Sequence, residues 1–196
     1  MTKIIIALEG LPCSGKTTFF NKFKERNTDF FCTSELYIDT NKDEPSIMIR
    51  ERYAIAEILK KKSIDYIDQN ILLDRSFLST LAFSYSKYKT TGDISDYIYN
   101  LKFMKENRQN IIIPDFVIVL VITPKESMRR RRGMIRDDTL DFWKNKIFLQ
   151  YYLNYYYSND LGKIIAQNRI TYIDTMKVSE EETYKIIVDK IKETCK

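Results

Sequence analysis

A chain of 196 residues, 44% hydrophobic and 30% charged, has the size and composition of one globular domain with a real core, which excludes a disordered protein. Its formal net charge of +5 suits polyanionic small molecules and is too modest to make nucleic acid the expected partner. No histidine occurs, so imidazole bases and His-dependent zinc sites are excluded and catalysis must rest on carboxylates, Lys, Arg and a metal.

The N-terminal apolar run is too short for a signal peptide, and no stretch approaches the ~20 apolar residues of a membrane span. Cys13, Cys32 and Cys195 are scattered and lack ligand spacing. A cytoplasmic protein with reduced thiols is expected.

The first predicted strand, Lys3 to Glu9, runs into Gly10-Leu11-Pro12-Cys13-Ser14-Gly15-Lys16-Thr17-Thr18, the Walker A spacing of a phosphate-binding loop. Gly10 and Gly15 let backbone N–H groups turn inward, and the helix that follows adds its positive N-terminal end. Lys16 is expected on the β- and γ-phosphates of ATP and the Thr17 hydroxyl on Mg2+, with Pro12, Cys13, Ser14 and Thr18 completing the ATP cradle. Phe19, Phe20 and Phe23 give the helix its core face.

Asp29 to Thr33 is a second strand ending at Ser34-Glu35. Strand carboxyl ends face the ligand crevice in open α/β sheets, so Glu35 is either a site carboxylate or an ordinary turn or helix-start one. Asn41 to Glu44 comes near the guanine-reading motif of GTPases but lies too early and lacks its final Asp. It reads instead as a helix start, with Asp43 as N-cap and Pro45 in the first turn. Met48, Ile55 and Leu59 then form the expected buried stripe. Arg52 falls on it and needs an anion, either a substrate phosphate or an internal partner such as Asp74, unless it snorkels.

Gln69 to Asp74 is an apolar strand ending in a carboxylate, as a Walker B strand does. Asp74 is expected to serve Mg2+ or the acceptor, the alternative being a helix cap, and the helix from Arg75 to Ser84 places Arg75 beside the site. A helical stretch broken near Gly92-Asp93 follows. Phe116 to Ile122 has the unbroken apolar character of a central parallel strand.

Pro124 starts a helix into Arg129-Arg130-Arg131-Arg132-Gly133, with Gly133 as a hinge and Arg136 beyond. Arginines delivered to a transferred phosphoryl group stabilise its charge, and Arg132 and Arg136 are the candidates. Thr139 to Tyr157 is an aromatic helix whose surplus tyrosines leave room for a homodimer. Ile170 to Asp174 is the last strand, and Ser179 with Glu182 caps the closing helix, which buries Tyr184, Ile187, Val188 and Ile191.

This order of elements resembles the thymidylate kinase and deoxynucleoside kinase group of P-loop kinases over nearly the whole chain. Its most specific piece is Leu72-Leu73-Asp74-Arg75-Ser76-Phe77 through Ala82-Phe83, similar to the thymidylate kinase signature. The resemblance implies an α/β fold: a P-loop NTPase three-layer sandwich with a five-stranded parallel sheet in the order 2-3-1-4-5, helices on both faces and an Arg-rich lid at about 129–138, in a single domain 1–196. It implies an ATP-dependent phosphotransferase acting on a nucleoside or nucleoside monophosphate. Arg75 would hold the acceptor's phosphate or 5′-oxygen, Glu35 would be the base used by nucleoside kinases, Arg52 would lie near the acceptor, and the loop after Asp174 would lie against adenine.

Two departures divide the group's branches. Pro12 stands where thymidylate kinases carry an acidic residue, and Asp74-Arg75-Ser76 where deoxynucleoside kinases carry Glu-Arg-Ser. The arginines near Asp74 and in the lid tilt the expectation to a dTMP-like monophosphate, with a deoxynucleoside or other hydroxyl acceptor as the alternative. A nucleic-acid-directed P-loop ATPase is the reading from another class, marked by steeply salt-dependent oligonucleotide binding.

Overall fold

The computed structural model describes residues 3–36, 38, 45–132 and 141–195. Among them five parallel strands form one sheet: β1 (Ile5–Gly10), β2 (Phe30–Thr33), β3 (Asn70–Asp74), β4 (Phe116–Val121) and β5 (Ile170–Asp174), in the order β2-β3-β1-β4-β5. This is the expected order. β1 lies at the centre, with Ala7 opposite Leu73 on one side and Val117 on the other.

Alternation along the strands sorts side chains to two faces. Ile6, Leu8, Leu72, Ile118, Leu120 and Ile173 pack on α1 (Lys16–Arg26) and α8 (Glu180–Thr194) through Phe19, Phe20, Phe23, Ile187 and Ile191. Val117 and Val119 face the larger cluster of α3 (Phe77–Thr91), α4 (Ser95–Glu106) and α6 (Lys146–Tyr155). Fully buried Phe148, Tyr152 and Tyr155 lie there, each such side chain contributing roughly 1.5–3 kcal/mol by burial.

Local chemistry fixes the helix ends. Ser76 caps α3, Thr123 caps α5 (Pro124–Arg131) with Pro124 at its start, and Ser179 with Glu182 makes the capping box of α8. Gly92, at φ 83°, ends α3. The aromatic helix starts later than its periodicity suggests, at Lys146, because the Asn145 side chain caps it after a 3-10 turn at Asp141–Lys144. Ser158 caps the short α7 (Asn159–Gly162). No helix among the described residues is long and apolar enough to cross a membrane.

The stripe expected on α2 (Ser46–Ile64) is a correction. Met48, Ile55 and Leu59 are 52%, 58% and 58% exposed, and Arg52 lies on the exposed side with them. Ala54, Glu57, Lys60 and Ile64 turn inward instead. The helix carries apolar residues on both sides, so periodicity alone cannot select which side meets the sheet, and tertiary packing decides it, Ile64 joining Ala7, Ile71 and Leu73 in the core. Pro45 is the N-cap of α2 rather than a first-turn residue, and Asp43 lies outside the described residues.

Candidate active site

The loop between β1 and α1 has left-handed or otherwise positive φ at Gly10 (127°), Cys13 (59°) and Gly15 (100°). At Gly10 a Cβ would stand 2.3 Å from the Leu120 carbonyl oxygen, so close strand packing as well as backbone angle demands glycine. Each carbonyl from Gly10 to Ser14 is engaged. Lys16 Nζ donates to Gly10 O (3.1 Å) and Leu11 O (2.7 Å). Ser127 Oγ donates to Pro12 O (2.7 Å), Arg130 Nη1 to Cys13 O (3.4 Å) and Thr175 Oγ1 to Ser14 O (3.1 Å).

α5 and the turn after β5 thus hold the carbonyls of Pro12, Cys13 and Ser14, and Lys16 those of Gly10 and Leu11. The helix-start amides of Lys16, Thr17 and Thr18 have no acceptor one turn earlier, and Gly15 offers no side-chain cap. That is an anion cradle. Burial, aided by nearby Arg75 and opposed by Asp74, pushes the Lys16 ammonium down to about 7. A phosphate would restore its charge.

β1 and β3 end in two carboxylates on opposite faces. Asp74 faces α1, where Thr17 Oγ1 donates to its Oδ2 at 3.1 Å while Oδ1 is buried without a hydrogen-bond partner. Burial raises its pKa against the pull of Lys16 and Arg75. A hydroxyl and a carboxylate with an unsatisfied oxygen form a hard-oxygen donor set, which fits Mg2+. Glu9, fully buried, faces α3 and accepts from the Ser76 amide and hydroxyl (2.9 and 2.7 Å), the Ser79 hydroxyl and the Tyr156 hydroxyl.

Between the carboxylates lies Arg75, 9% exposed and held at φ 66°, a strained conformation for a side-chain-bearing residue. Its Nη1 donates to Tyr152 OH (2.7 Å), Gly10 O and Ser79 Oγ (both 3.2 Å), and Lys60 Nζ donates to its carbonyl at 3.2 Å. Nε lies 2.8 Å from Glu35 Oε1, an ion pair without the alignment of a hydrogen bond. Although burial opposes the charge, Tyr152, Glu35 and Glu9 raise the guanidinium's affinity for its proton.

The structure therefore gathers Gly10 to Thr18, Glu35, Asp74 and Arg75 at the carboxyl edge of the sheet. Arg52 is not on the inward side of its helix. Arg132 is exposed at the C-cap of α5, and Arg136 with Gly133 lies outside the described residues.

The four consecutive arginines have different surroundings. Arg129 and Arg130 both pair with Glu126 (each 2.7 Å). Arg131 follows Ser127 by one turn on the face that meets the loop, and its Nη1 is buried without a partner. Burial lowers its pKa, with Cys13 acting the other way.

Sequence reasoning passed over Glu9, Glu57, Lys60, Arg131 and Tyr152. Glu9 alone had a signal, being a carboxylate at an inward-facing position of an otherwise apolar strand.

No protein-family model and no curated protein sequence matches the chain. Solved structures do. Deoxyadenosine kinase from M. mycoides with bound dATP superposes with TM-score 0.71 at 16% identity, covering 95% of this chain and 98% of that one. The same kinase with products dCMP and dCDP gives 0.70 at 17%, covering 97% and 100%, and with bound dCTP 0.62 at 16%, again covering 97% and 100%. The chain has the P-loop kinase fold.

Proposed function

We propose that the protein is an ATP-dependent deoxynucleoside kinase, transferring the γ-phosphoryl group of Mg·ATP to the 5′-hydroxyl of a deoxynucleoside. The observation that carries this reading is the Glu35–Arg75 ion pair, 2.8 Å, at the carboxyl edge of the sheet beside the phosphate loop. A hydroxyl must lose a proton as it attacks phosphorus, and a carboxylate held by a cation can take it. Glu35 accepts that proton, the freed oxygen bonds to the γ-phosphorus, and the bond to the β–γ bridging oxygen breaks, so ADP leaves.

A monophosphate acceptor arrives with an anionic nucleophile and needs spare cations instead. Three of the arginines that favoured it are committed: Arg75 to Glu35 and Tyr152, Arg129 and Arg130 to Glu126. The structural likeness to a deoxyadenosine kinase supports the same choice over a thymidylate kinase-like one.

In the proposed mechanism the inward amides and Lys16 bind the donor phosphates, while Arg75 orients Glu35 and the acceptor. Thr17 and Asp74 would hold Mg2+, which when bound supplies neutralising charge at the donor phosphates.

The test is ADP release with Mg·ATP across deoxynucleosides and their monophosphates. Turnover with deoxynucleosides is expected, and Glu35→Gln should lower it by roughly 100-fold or more. Turnover confined to monophosphates and unaffected by Glu35→Gln would restore the thymidylate kinase-like reading.

A further inference from the structure

The course of α2 sets the height of its inward side chains. At its lower end the carbonyls of Ile64 and Ile67 accept from Lys3 Nζ (both 2.9 Å), just ahead of β1 at the amino edge of the sheet. Higher up, Lys60 Nζ reaches the Arg75 carbonyl, immediately beyond the carboxyl end of β3. Glu57 precedes Lys60 by three residues, about 4.5 Å further up the helix and on the same side. It therefore sits at the carboxyl edge, level with the Arg75 corner and on the Glu9 face of the sheet.

Glu57 is 4% exposed, and its Oε2 is buried without a hydrogen-bond partner. The nearest cation on its own helix, Lys60, is committed to a backbone carbonyl. Ala54, one turn up on the same side, contributes only a methyl group beside it. Burial pushes the carboxyl up to about 7, with Glu9 adding to the effect and Lys60 opposing it. A fold that needed only packing here would do better with an apolar side chain of the same length.

We propose that Glu57 is a specificity-determining residue of the acceptor crevice, its free oxygen accepting a hydrogen bond from an N–H or O–H group of the nucleoside. The inference rests on the kinase reading above and names the contact that reading lacks. In its ionised form the carboxyl pairs only with donors, and besides the reacting 5′-hydroxyl deoxyadenosine offers them in two places: the amine on the base and the 3′-hydroxyl of the sugar. Because the oxygen is desolvated, an acceptor lacking the donor leaves it unpaired and is rejected.

The experiment measures kcat/KM for deoxyadenosine, for purine 2′-deoxyriboside, which lacks the amine, and for 2′,3′-dideoxyadenosine, which lacks the 3′-hydroxyl. It uses wild type, Glu57→Met and Glu57→Gln. Wild type is expected to prefer deoxyadenosine over one of the two analogues by roughly 10–100-fold. Glu57→Met should erase that preference by lowering the deoxyadenosine value to that of the analogue. It should leave the analogue within about threefold, the KM for ATP within about twofold and the thermal midpoint no lower than wild type. Glu57→Gln, which keeps an acceptor oxygen, should regain part of the preference.

Equal losses on all three acceptors, or a preference that survives Glu57→Met in an active enzyme, would overturn the inference alone. A wild type that phosphorylates none of a full deoxynucleoside panel would overturn the activity beneath it.

Discussion

The donor half and the acceptor half of this crevice are built in different ways. In the proposed donor half the loop's own backbone would meet the ligand: the carbonyls from Gly10 to Ser14 are tied off, and the first amides of α1 have no side-chain cap. In the acceptor half side chains from β1, the end of β2, α2 and β3 converge, so that Glu35 meets Arg75 across the sheet and Lys60 holds Arg75 from behind. A backbone-built site tolerates almost no change at its glycines. A side-chain-built site degrades one contact at a time.

The largest effect expected from this contrast is that of Gly10→Ala. Its Cβ would collide with the Leu120 carbonyl at 2.3 Å, between two central strands that cannot separate cheaply, and at a φ of 127°. Loss of roughly 3 kcal/mol or more of stability is expected, together with loss of ATP binding. Gly15→Ala meets no atom within 4 Å and keeps only the φ strain, on the order of 1–2 kcal/mol. Urea denaturation of the pair measures both, and equal costs would break the distinction.

On the acceptor side, Arg75→Lys keeps the charge but loses the fork that spans Tyr152, Ser79 and Gly10 while Nε faces Glu35. Acceptor-dependent kcat/KM should fall by roughly 100-fold, with the KM for ATP within about threefold. A change in ATP affinity as large as the change in turnover would mean that the two halves are not separable.

The same contrast explains what the sequence could show. Glycine spacing after an apolar strand is a local, one-dimensional pattern, so the loop and β1 could be read from it, whereas the strand order followed from the family resemblance carried by the order of elements. The Asp74-Arg75-Ser76 corner was legible for the same reason. Glu9 and Tyr152 acquire their roles only when α6 packs on α3, bringing Tyr156 to Glu9 and Tyr152 to Arg75, 147 and 77 positions away. Helix α2 shows the limit most clearly. Its apolar residues populate two sides, and the choice of Ala54 and Glu57 over Met48 and Ile55 is made by tertiary packing that no period encodes.

The arginine run sharpens the boundary between the halves. Arg131 is the member with a buried donor atom lacking a partner, one turn beyond the serine that holds Pro12, whereas Arg132 is exposed. Arg131→Ala is expected to lower kcat by roughly 10–100-fold, and Arg132→Ala by less than about threefold. Stopped-assay turnover at saturating ATP distinguishes them, and the reverse ranking would return the role to Arg132.

A last effect, read as a slope with pH rather than as a single loss, concerns Lys16 in the ligand-free protein. Its ammonium is buried among loop carbonyls, and its pKa falls from 10.5 to about 7, burial being the main cause and Arg75 the next. Between those values the unfolded chain binds a proton that the folded one does not, so stability rises with pH across the window. Lys16→Met removes the term. The stability difference, wild type minus variant, should therefore grow in favour of wild type from pH 7 towards pH 10, at up to about 1.4 kcal/mol per pH unit. Titrating groups far from Lys16 cancel in the difference. Urea midpoints of the two proteins at pH 7, 8 and 9 measure the slope. A flat difference would mean that the loop carbonyls and Asp74 keep Lys16 charged without ATP, and that the donor half is preorganised electrostatically as well as in its backbone.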